Sequence, residues 1–300
     1  MDSLAIFDDR ALRPRSDQDR LHRRLAVLNR HRFSPGFPED DWQQQSRERA
    51  ALLRVEHEFL ETLRAEVRDA AAAAPKSAQA FRAWFEALKE TGRGQGDPLF
   101  PWLAEKAGRD EMRWYLRQEV AGEAGFDDLV ALTQVKLPKR PKLELARNYW
   151  DEMGRGNLKG MHGPLLEKLS DALALHPTME ETVWESLALA NTMAGLAANR
   201  CYAYHAVGAL GAIELTAPGR SVYVASGLRR LGIPTGDRHY FDLHAVLDVK
   251  HSLAWNEEAI VPLVADDPRI GTAIAEGALM RLSCGARCFA RYRSVLWSNP

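Results

Sequence analysis

The segment SRERAALLRVEHEFLETLRAEVRDAAAAA, from Ser46 to Ala74, leaves its backbone one regular option. Ala, Leu, Glu and Arg are the residues that lose least on entering a helix. Leu52, Val55, Phe59 and Leu63 recur at three- and four-residue steps, which gives one apolar stripe at helical period. Pro75 ends this helix, and SAQAFRAWFEALKE predicts a second.

The same pattern continues. A helix is expected from Asp110 to about Thr133, another from Leu143 to Met153, with the proline-rich KLPKRPK as a connection between them. In HPTMEE, Thr178 and Glu181 have capping-box spacing and predict a helix that runs as far as Leu215. Pro218 suits the first turn of a following helix. Asp237 to about Val264 reads as helix with a bend near Pro262, and Asp267 with Pro268 caps and opens a last one. No strand pattern and no internal repeat emerges, so the expected fold class is all-α, a helical bundle. The glycine-rich TGRGQGDP, Thr91 to Pro98, marks the expected division: an N-terminal helical extension, residues 1–95, packed on a main helical domain, residues 96–300.

The formal net charge of −1 argues against nucleic acid as a partner. The arginine-rich DRLHRRLAVLNRHRF, Asp19 to Phe33, is read as a solvated helix lying on the body. Three cysteines, Cys201, Cys284 and Cys288, form no disulfide framework, which suits a reducing cytoplasm. Cys284 and Cys288, one helical turn apart, are read as core residues. The first residues lack the order of a signal peptide, and no apolar run reaches the length of a membrane span, so no membrane partner is expected. A homodimer is an expectation from the spare apolar stripe that carries Phe59 and Leu63.

The chemistry concentrates in HAVLDVKH. At about 100° per residue, His244, Asp248 and His251 project into a sector about 60° wide. Two imidazoles and a carboxylate on one stripe suit iron, manganese or zinc; alone they equally suit a cap or a surface ion pair. Other segments supply matching groups: Glu119 and Glu123 in YLRQEVAGE, Glu144, Glu152 and His162 in ELARNYWDEMGRGNLKGMH, and Glu214 in the apolar GALGAIELTAPGR. A carboxylate in such an apolar run is expected to be buried, and it then needs a cation, a metal or a proton. Glu152 and His162 would lie about 80° apart on an unbroken helix. Gly154, Gly156, Gly160 and Gly163 allow the backbone to bend there; either a plain loop or a soft segment that orders around metal is expected.

The ordered set resembles the haem-oxygenase-like di-iron oxidases and oxygenases, iron-containing redox enzymes with a haem-oxygenase-like fold. The likeness runs from about Leu99 to Arg293, and the N-terminal hundred residues carry none of it. The resemblance implies two iron ions and O2 as co-substrate. It implies Glu119, His162 and His251 on one iron, His244 and Asp248 on the other, Glu152 between them and Glu214 as a further ligand. Glu123, one turn after Glu119, competes with it for the first place. Glu144 is read as lying behind the ligands or facing solvent. The activity implied is O2-dependent oxidation of a small substrate, an amino acid or amine, by N-oxygenation, desaturation, C–C cleavage or ring formation in specialised biosynthesis. The external electron donor is not legible in the sequence.

Arg147, Arg200 and Arg220 lie near the ligand segments in sequence, and any of them would hold a substrate carboxylate; each also fits a structural ion pair. Tyr202, Tyr204 and His205 are expected to line the pocket. Two other classes compete with the oxidase. One is a metal-binding helical protein without turnover. The other is a fold relative that needs no pair of irons: a haem oxygenase, a cofactor-free oxidase or a thiaminase-like enzyme. The carboxylates Glu152, Glu214 and Asp248 argue against a single proximal histidine, and nothing beside Cys201 in sequence marks it as activated.

Overall fold

A computed structural model of the protein describes residues 16–38, 40–122 and 125–298, with the side chains of 248 and 249 outside the description. Glu123 and Asp248, both named above as candidate ligands, therefore lie outside the described residues, as do the first fifteen positions. Among the described residues no strand forms. The helices are α1 (Asp17–Phe33), α2 (Trp42–Ala72), α3 (Ala78–Thr91), α4 (Leu99–Glu105), α5 (Arg109–Gly122), α6 (Phe126–Thr133) and α7 (Lys139–Glu152). They continue as α8 (His162–Ala172), α9 (Trp184–Ala198), α10 (Ala203–Arg230), α11 (His239–Ala254), α12 (Val261–Asp266) and α13 (Pro268–Leu296). None is long and apolar enough to cross a membrane.

The two long helices α10 and α13 form the axis of the bundle. Their closeness is written in two glycines. A Cβ at Gly208 would sit 1.9 Å from the Ile274 carbonyl oxygen, and one at Gly277 would sit 1.9 Å from that of His205. Only glycine allows backbones to meet at that distance. Helices α4, α9 and α11 flank α10, and α2 and α9 flank α13. One continuous apolar core joins Leu60 and Leu63 of α2 and Phe81 and Phe85 of α3 to Val207, Leu210, Trp255 and Ile274. Leu63 is thus buried, and the Phe59 ring meets the edge of His22. The arginine-rich α1 lies on α9 through Leu25 and Leu28, and Asn29 donates to Asn191 Oδ1 at 2.8 Å. Cys284 and Cys288 are buried along α13.

Several helix boundaries differ from the sequence expectation, each for a local reason. The helix expected from Asp110 to Thr133 is two, because Gly125 turns left-handed (φ 69°) ahead of α6. KLPKRPK is no simple connection: α7 begins within it, with Pro141 tolerated in the first turn. The Thr178–Glu181 capping box forms, with each side chain bonding the other's backbone N–H, but it closes a single turn and α9 starts only at Trp184. Pro218 lies inside α10 instead of opening a new helix, and its missing N–H leaves the Glu214 carbonyl without its helical donor. After α11 the chain widens into a π-helical turn, Trp255–Ile260, before α12.

Candidate metal centre

Glu152 is the last residue of α7 and His162 the first of α8. Between them the chain closes on itself. Met153 and Met161 pair as an isolated antiparallel bridge, which forms the neck of a compact loop. Backbone bonds tie the loop internally: Gly156 N–H to the Met153 carbonyl at 3.1 Å and Gly160 N–H to the Asn157 carbonyl at 2.8 Å. Gly154, Arg155 and Gly156 in succession adopt positive φ, which supplies the reversal. The ten-residue spacing that separates Glu152 and His162 on a helix is thereby erased. His162 Nδ1 lies 2.6 Å from Glu152 Oε2. That nitrogen has no directional hydrogen bond, although it is buried.

Two further helices complete the cluster. Helix α11 brings His244 and His251, and α10 brings Glu214. Ligand atoms of Glu152, His162 and His244 lie within 4.8 Å of one another, and so do those of Glu152, Glu214 and His251. Glu152 belongs to both groups. The histidines are thus shared out differently from the pairing that the family resemblance implies: His162 stands with His244 and His251 with Glu214. The rings of His162 and His244 meet edge to face at 4.6 Å.

Neighbouring groups fix the tautomers of His244 and His251. His244 Nδ1 lies 2.7 Å from the Tyr240 carbonyl, which can only accept, so Nδ1 carries the proton and Nε2 the lone pair. His251 Nε2 donates to Asp151 Oδ2 at 3.1 Å, which turns Nδ1 toward Glu214 Oε2 at 3.6 Å. Asp151 also accepts from Arg155 at 2.6 Å. Burial raises the Asp151 carboxyl, but the bonds from Arg155 and His251 outweigh it and hold it below the usual range. Asn148 donates to Glu214 Oε1 at 2.6 Å.

The electrostatics are those of a site built for a cation. Burial, then the charge of Glu214, pushes the Glu152 carboxyl up to about 9. Burial, then the nearby His251, pulls His162 down to about 4; burial, then His162, does the same to His244. Asp127, at the start of α6, adds its charge to both Glu152 and His162. Neutral imidazoles with lone pairs turned inward, beside carboxylates that repel each other, are the donor set that iron, manganese or zinc takes. The residues present fit a bound metal ion, and Glu152 belongs to both ligand groups.

A cavity of about 120 Å3 adjoins the cluster, lined by Glu119, Glu152, Glu214 and His244 together with Arg220 and Arg281. Glu119 therefore faces the same space, but belongs to neither ligand group. Burial, then the charge of Glu119, holds the Tyr115 hydroxyl well above its ordinary range. Glu144 is buried and pairs with Arg147 at 2.6 Å, so it does not face solvent. Of the residues expected to hold substrate, only Arg220 reaches this cavity. Arg200 donates to the carbonyls of Leu132 and Thr133, Tyr202 to Glu61, and His205 bonds Glu276. Asp151, Asn148, Asp127 and Arg281 were not singled out from sequence. The signal available for Asp151 was its place beside Glu152; for Arg281 it was a lone charge among apolar and small residues, the same sign that marked Glu214.

A model of a family described as iron-containing redox enzyme matches residues 113–286, more than half of the chain. The matched span holds every residue of the two ligand groups. No curated protein matches the chain.

Proposed function

The chain belongs to the iron-containing redox enzyme family, with a haem-oxygenase-like fold, and from that premise we propose that it is a non-haem di-iron oxidase or oxygenase acting on a small amino acid or amine. The observation that carries this reading is the pair of ligand groups joined through Glu152. A single iron does not need five inward-facing donors split about one shared carboxylate, whereas two ions do. Glu152, His162 and His244 would hold one iron, and Glu152, Glu214 and His251 the other, with Glu119 near enough in the cavity to serve either. Two ferrous ions bound there would supply the electrons that reduce O2 and open positions for O2 and substrate.

The chain's own residues supply the rest. Asp151 and the Tyr240 carbonyl fix the tautomers of His251 and His244, so each ring presents a lone pair without reorganising. Asn148 holds Glu214 by one oxygen and leaves the other for a metal. Leu116, Val120, Met193 and Val224 wall the cavity and limit water beside the cluster.

Anaerobic titration of the metal-free chain with iron(II), followed by O2 uptake with and without small amino acids, tests the proposal. Two equivalents of iron are expected, with uptake lost in His244→Ala and Glu152→Ala and O2 consumption accelerated by substrate. Uptake unchanged in both variants would sink the metal assignment. Stoichiometric iron with no substrate-accelerated O2 consumption would favour a metal-binding protein without turnover.

A further inference from the structure

The cavity beside the cluster holds two arginines, and they are not in the same situation. Arg220 donates to Thr216 Oγ1 at 3.1 Å and lies over the Phe289 ring. Arg281, on α13, has no ion pair and no hydrogen bond among the described residues, and its Nε is fully buried. Its guanidinium reaches along its own helix over Gly285, where a Cβ would stand 2.8 Å from Nη1. The glycine leaves room for the charge to lie there. A guanidinium whose Nε is buried and that makes no direct ion pair gains from a carboxylate placed against it.

The shape of the space limits the anion. A carboxylate matches a guanidinium through two parallel hydrogen bonds. An apolar cavity of about 150 Å3 accommodates benzene, so about 120 Å3 admits a ligand of roughly four to six non-hydrogen atoms. Arg220 also lines an outer groove of about 700 Å3, together with Phe100, Thr216 and Tyr223. It lines both the groove and the cavity.

We infer that Arg281 anchors the carboxylate of a short-chain acid, small amino acids included, in the cavity beside the cluster. That this acid is the substrate rests on the oxidase reading above; the anchor itself needs no iron.

Butyrate is the probe, titrated calorimetrically into the metal-free full-length chain, with n-butylamine as a cation of the same length. The wild-type chain should bind butyrate and not butylamine. Arg281→Met, which keeps length without charge, should weaken butyrate at least about tenfold while taking up iron as the wild type does. Arg281→Lys should be intermediate, because it keeps the charge and loses the paired geometry; it also keeps the test open if the methionine variant fails to fold. Equal butyrate affinity in wild type and Arg281→Met, or no butyrate binding in wild type, overturns the anchor. Iron uptake without butyrate binding overturns the anchor alone. Arg281-dependent butyrate binding in a chain that takes no iron retains the anchor and overturns the iron reading.

Discussion

Gly154→Ala tests how Glu152 and His162 are brought together. A Cβ at Gly154 would lie 2.4 Å from the Gly160 carbonyl carbon and 2.6 Å from the Met161 nitrogen. Ordinary contact begins near 3.4 Å, so the loop neck must open by about 1 Å. Residue 154 also sits at φ 59°, which costs an L side chain about 1–2 kcal/mol, and forcing the backbone apart adds about 1–3 kcal/mol. The total of about 2–5 kcal/mol is relieved by breaking the Met153–Met161 bridge. That moves Glu152 and His162 apart by more than the roughly 0.2 Å tolerance of a metal site. Iron affinity should therefore fall at least about tenfold, read by competition against a chelator. The melting temperature of the metal-free chain should drop by about 4–10 °C at most, at about 2 °C per kcal/mol for a chain of this size. Gly154→Asn separates the two causes. Asparagine tolerates positive φ, but its Cβ meets the same atoms, so it should not rescue iron binding. Wild-type iron affinity in Gly154→Ala would refute the role of the neck; rescue by asparagine would show that φ, not the close approach, is what glycine provides.

Asp151→Ala should free the His251 ring and weaken iron by about 10- to 100-fold, read by a chelator titration; unchanged affinity would refute the role of Asp151. Glu152 keeps its proton up to about 9 in the metal-free chain, while His162 and His244 are neutral above about 4. Iron uptake at pH 7 should therefore release about one proton per chain, read by calorimetry in two buffers of different ionisation enthalpy; zero release would contradict the raised carboxyl. The same shift has a stability sign. The folded Glu152 value lies above the unfolded 4.5, so its contribution is full below 4.5 and is lost as pH rises through about 9. The metal-free wild type should lose melting temperature between pH 6 and 9 more steeply than Glu152→Gln, and parallel curves would rule this out.

Much of the fold was legible because helices announce themselves locally. The stripe of α2, the cap of α13 at Asp267 and the helical character of nearly every segment follow from period and capping chemistry, which act within a few residues. What failed did so where neighbours intervene. Pro218 was expected to open a helix, but α10 continues through it because packing on both sides of the helix outweighs one lost hydrogen bond. The capping box at Thr178 formed but no helix followed directly, since a cap satisfies donors without supplying an apolar face to bury.

The candidate site divides along the same line. The residue types were readable in one dimension: His244 and His251 share a stripe of α11, and Glu214 stands alone in an apolar run. Their grouping was not. Which histidine meets which carboxylate depends on how α7, α8, α10 and α11 lie against one another, and on the closed Met153–Met161 neck that turns ten residues of separation into contact. The same holds for Asp151 and Asn148, whose partners lie 100 and 66 residues away, and for Arg281, which has no hydrogen-bond partner at its buried Nε among the described residues. Periodicity reports which face of a helix is buried, because that depends on bonds along one chain. The facing partner is chosen by backbone approaches such as those at Gly208 and Gly277, which exist only once separate helices have packed.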